Sequence, residues 1–101
     1  MVIDLNSTTE NKTAYFTATM ASVGNSVNVT HGLTQSKIIG VQALVYNSSG
    51  YLITPGYSGS GSDATNYFGI IVGSSTIDLI TGSSATSIAG QTAQILITYT
   101  E

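Results

Sequence analysis

The chain has 101 residues, enough for one domain and too few for two, so 1–101 is read as a single unit. The absence of Cys excludes disulfides, thiolate zinc sites and thiol catalysis. Lys12 and Lys37 are the only basic residues, too few to neutralise a phosphate backbone, so neither nucleic acid nor an anionic membrane is an expected partner.

The first eleven residues read as an extended N-terminal arm. Asp4 interrupts Val2-Ile3-Asp4-Leu5, so no secretory leader is expected there, and no apolar run approaches the roughly eighteen residues of a membrane span. A period of two then takes over. Ala14, Phe16, Ala18 and Met20 share one face of a strand, with Tyr15, Thr17 and Thr19 on the other. Val27 and Val29 alternate with Ser26, Asn28 and Thr30. After them Gly32 permits a sharp turn, Leu33 is free to return to the core, and the His31 imidazole is placed to bond the backbone of that turn. His31 and Gly32 are therefore read as a structural turn.

The strongest strand signal covers 37–47. Ile39, Val41, Ala43 and Val45 are expected on one face and Ile38, Gly40, Gln42, Leu44 and Tyr46 on the other. Both sets are largely apolar, which predicts a central strand covered on both sides. Asn47-Ser48-Ser49-Gly50 reads as a hairpin turn into Tyr51-Leu52-Ile53, which Pro55 ends. Residues 54–66 follow as a long Gly- and Ser-rich loop. A hairpin is predicted from 67–72 and 76–81 across Gly73-Ser74-Ser75. The loop 82–87 resembles the long loop in composition. The closing strand, 91–100, sets Ala93, Ile95, Ile97 and Tyr99 on one face. Some seven to eight short strands at this spacing predict an all-β fold, an antiparallel, jelly-roll-like β-sandwich.

Chemistry-bearing constellations are scarce. His31 is the only imidazole, no Ser lies in a Gly-x-Ser-x-Gly elbow, and neither Lys nor a helix follows Gly59-Ser60-Gly61. No enzyme activity and no cofactor are expected. Five carboxylates without ligand spacing give no metal signature, the one pairing considered being Asp63 with Asp78 around Ca²⁺. Four Asn-x-Ser/Thr matches, at Asn6, Asn11, Asn28 and Asn47, are what an Asn-, Ser- and Thr-rich chain gives by chance. The aromatic signal centres on the long loop, where Tyr51 and Tyr67 flank Tyr57. With Ser58, Ser60, Ser62, Asp63 and Asn66, Tyr57 makes a candidate receptor-binding loop suited to a host-surface glycan or protein.

Val29-Thr30-His31-Gly32-Leu33 resembles the Val-Thr-His-Asn/Gly-Leu segment of β-sandwich domains in tailed-phage virion proteins, especially tail-fibre and receptor-binding tips. The apolar strand after it, the apolar closing strand and the abundance of Ser, Thr, Gly and Asn extend the likeness over about two-thirds of the chain. A His-x-His metal pattern of the kind some fibre tips use is absent from this sequence. The resemblance implies a virion location and a structural role, as fibre tip, head fibre or capsid-decorating protein, with other virion proteins as partners. It also implies assembly as a homotrimer. Charged residues make up only 7% of the chain against 42% hydrophobic ones, which fits a surface covered by neighbouring subunits. The alternative is an extracellular carbohydrate-binding module, monomeric and recognising sugar.

Overall fold

The computed structural model describes residues 11–55 and 61–101, with the backbone alone for 61–63. Two antiparallel sheets face each other. Their strands are β1 (Asn11–Thr19), β2 (Ser26–Thr30), β3 (Ile38–Tyr46), β4 (Leu52–Ile53), β5 (Phe68–Val72), β6 (Thr76–Thr81) and β7 (Thr92–Thr100). One sheet has the order β1-β7-β3-β4 and the other β2-β6-β5. The first strand pairs with the last, and the second with the last but one, which gives the nested order of a sandwich. Its middle is closed by two local hairpins, β3–β4 and β5–β6. Short 3-10 turns at Gln35–Lys37 and Gly61–Asn66 are the only helical elements among the described residues.

The period of two accounts for the core. Ala93, Ile95 and Ile97 from β7, Ala43 and Val45 from β3, and Ile53 from β4 point inward from the larger sheet. Ile77 and Leu79 from β6 and Phe68 from β5 meet them from the smaller one. Each fully buried Leu, Ile or Phe contributes about 1.5–3 kcal/mol relative to exposure. Thr81, His31 and Asn47 are buried polar residues, and the Thr81 hydroxyl donates to the Ala21 carbonyl at 2.9 Å.

The structure corrects three expectations. Ile39 is 56% exposed while Ile38 packs against the core, because the β3–β7 register shifts between Ile38 and Gly40. One extra residue bulges there and reverses the alternation at the start of the strand. Next, β3 is central within its sheet, but the described residues do not cover its outer face: Gln42 is exposed and Tyr46 is half exposed. Finally, the segment after β6 is no open loop. Ala85 and Ile88 are fully buried, and Ala89 N–H donates to the Ala85 carbonyl, closing a turn that seals one end of the sandwich.

Candidate functional site

The end of the sandwich that carries the 47–52 turn, residues 64–67 and the segment after β6 is organised by Asn47. Its side-chain oxygen accepts from Ser49 N–H at 3.0 Å and Tyr51 N–H at 2.9 Å, the local ring that Asn forms readily in a turn. Its amide nitrogen donates to Asn66 Oδ1 at 2.9 Å. Asn47 is buried, so these bonds satisfy groups that would otherwise be costly. Backbone bonds knit the three segments further: Ser48 N–H to the Ser87 carbonyl, Ser87 N–H to the Thr65 carbonyl, and Gly82 N–H to the Tyr67 carbonyl. Gly82 is fixed by this contact. A Cβ there would lie 2.8 Å from Tyr67 Cδ2 and 2.9 Å from the Tyr67 carbonyl oxygen.

Two clefts open at this end. One, of about 470 Å³, is lined by Asn47, Tyr51, Leu52, Ile53, Thr54 and Asn66. The other, of about 480 Å³, is lined by Ala64, Tyr67, Gly82, Ser83 and Ser84. Both volumes fall within the range of small-ligand sites, about 300–1,000 Å³. Tyr51 is 70% exposed and Tyr67 is partly exposed. The named linings are amides, hydroxyls, tyrosines and aliphatic groups without a charge. Such a rim offers donors, acceptors and a ring face, the chemistry that suits a neutral saccharide.

Of the loop residues predicted to bind, Tyr57, Ser58 and Ser60 lie outside the described residues, as do the arm residues 1–10. Ser62 and Asp63 belong to the 3-10 turn Gly61–Asn66, with their side chains outside the description. Asn66 is placed at the cleft, bonded to Asn47. Asn47 was not among the predicted site residues, although Asn before Ser-Ser-Gly is a recognisable turn signature.

His31 and Gly32 form a separate locus at the end of β2. His31 is buried. Leu33 N–H donates to its Nδ1 at 3.0 Å, which makes Nδ1 the acceptor nitrogen. Nε2, carrying the proton, then donates to the Gly73 carbonyl at 3.0 Å. His31 N–H donates to the Ser75 carbonyl, and Gly32 adopts φ +68°, where a Cβ is disfavoured. The imidazole thus joins β2 to the β5–β6 turn, with both ring nitrogens occupied. No cluster of three or more His, Cys, Asp or Glu able to hold a metal occurs among the described residues, and no helix among them is long and apolar enough to cross a membrane.

Comparison with protein families, with curated proteins and with solved structures found no match to this chain.

Proposed function

We propose that this chain is a non-enzymatic structural domain of a tailed-phage virion, a fibre tip, head fibre or capsid-decorating protein that acts in assembly or host attachment as a homo-oligomer, the homotrimer being the form the resemblance implies. The observation that carries the reading is the surface. Tyr15, Ile39, Tyr46, Tyr51, Leu52, Ile71 and Leu96 are all substantially exposed on a chain with seven charged residues. Isolated apolar side chains are ordinary on a protein surface, but Tyr15 with Leu96 and Tyr46 with Leu52 are neighbouring pairs on one sheet face, and contiguous apolar surface marks contact with another molecule. The sheet-joining turn at His31 supports a structural role for the segment that carries the resemblance. Antibodies raised against the chain should label intact particles of the phage that encodes it. Label absent from purified particles, with the chain left soluble in the lysate, overturns the proposal.

The two tyrosine-rimmed clefts favour a second reading, a carbohydrate-binding module. Calorimetric titration with neutral oligosaccharides separates the two. Binding by a monomer, lost on Tyr51→Ala, selects the module.

A further inference from the structure

The outer faces of the two sheets differ in one respect that decides what each accepts. On the smaller sheet, Asp78 sits in the middle of the outward face, with Asn28 and Ile71 on its rung. Its carboxylate accepts from the Thr76 hydroxyl at 3.0 Å. A second copy placed face to face there sets carboxylate near carboxylate. On the larger sheet, successive outward rungs read Thr13–Thr98–Gly40, Tyr15–Leu96–Gln42 and Thr17–Gln94–Leu44, with Tyr46–Leu52 at the far edge. None of these residues carries a charge.

We infer that the outer face of the β1-β7-β3-β4 sheet is the contact surface for a second copy of this chain. This rests on the reading of the chain as a homo-oligomer and names a surface for pairwise association; a self-complementary face closes a two-fold pair, so it does not supply the three-fold contact of a homotrimer. Three observations select a copy as the occupant. Gln, Thr and Tyr each donate and accept hydrogen bonds, so a face built from them complements itself, which a face of one charge sign does not. Three nine-residue strands at usual spacing give a face about 30 Å long and about 15 Å wide. Its projected area of roughly 450 Å², before the relief of its side chains, gives roughly 900 Å² over two partners, the size of a weak, transient contact. Tyr15, 60% exposed, stands beside a depression of about 200 Å³ lined also by Gln42, Leu44, Gln94 and Leu96. That hollow is below the ~300 Å³ typical of ligand pockets and suits a single inserted side chain.

The test is sedimentation velocity over a micromolar concentration series on the full chain and three variants, each first verified by circular dichroism. Gln42→Glu is nearly isosteric and puts a carboxylate at the centre of the face; Leu96→Lys adds a cation on the same rung; Ile71→Lys is the control on the opposite sheet. The unchanged chain should associate. Gln42→Glu and Leu96→Lys should weaken association on the order of 100-fold, since like charges brought together cost several kcal/mol, and Ile71→Lys should not. Dissociation by Ile71→Lys alone overturns the choice of face and leaves the assembly reading standing. A wild-type chain that stays monomeric overturns the inference, and particle labelling then decides the assembly reading separately. If that monomer binds a neutral glycan and Leu96→Lys abolishes binding, the occupant is sugar and not a second copy.

Discussion

Removing the His31 imidazole strands two main-chain groups at once. Leu33 N–H loses its acceptor and the Gly73 carbonyl its donor. Leaving a buried group unsatisfied costs about 1–3 kcal/mol and both of these are only partly buried, so His31→Ala should lower stability by about 1–2 kcal/mol in urea unfolding while the sheets persist in circular dichroism. His31→Gln, with one donor and one acceptor of its own, should recover part of the loss. Gly82 makes a second residue-scale test. Gly82→Ala drives a methyl into the Tyr67 carbonyl, a backbone atom that cannot swing aside. Overpacking of this kind costs about 1–3 kcal/mol. Gly69→Ala meets nothing within 4 Å and is the matched control. Thermal melts of the two variants should separate clearly, with Gly82→Ala the less stable.

At the scale of elements, the bulge in β3 makes adjacent isoleucines unequal. Ile39→Thr changes an exposed side chain and should stay within about 0.5 kcal/mol of the parent in chemical denaturation. Ile97→Ala, at a fully buried position of β7, should cost about 2–5 kcal/mol. Strict alternation read from the sequence predicts the opposite for Ile39, and this shows where legibility ends. The hydrophobic period placed β1, β2, β3 and β7 and the inward sets of β1 and β7, because burial of one face imposes that period on each strand separately, and the Gly-Ser turn at 73–75 placed β5 and β6. Register between strands is a pairwise property. The extra residue at 38–40 appears only when β3 is laid against β7, so no single-strand pattern carries it. The turn after β6 escaped for a similar reason. Ala85 and Ile88 are close together in a Ser- and Thr-rich stretch, a signal too short for periodicity, and they are buried because the open end of the sandwich needs a plug. The candidate site divides in the same way. Asn47 was legible as the first residue of a turn, whereas its bond to Asn66 spans nineteen positions and depends on how the loops close.

For the molecule as a whole, sparse charge determines how it responds to salt and acid. Among the described residues one ion pair is formed, Lys12 Nζ to Glu101 Oε1 at 2.9 Å, across the β1–β7 end. Its hydrogen bond and charge hold the Glu101 carboxyl below the usual carboxylate range and raise the Lys12 ammonium above its own. A lowered acid contributes stability above its unfolded-state value, and the contribution disappears as pH falls through the lowered one. Both side chains are solvent-exposed, so salt screens the pair and its share of stability is minor. The cohesion that remains is apolar burial and hydrogen bonding, which a Debye length shrinking to about 3 Å at 1 M salt does not touch. The same holds for a contact made through the uncharged sheet face. Raising sodium chloride from low to near-molar concentration should therefore leave the melting midpoint nearly unchanged and hold or tighten self-association. Calorimetry and sedimentation on one sample series read both quantities. Dissociation at high salt with an unshifted midpoint identifies an ionic contact, which the face defined by Tyr15, Gln42, Leu44, Gln94 and Leu96 cannot supply.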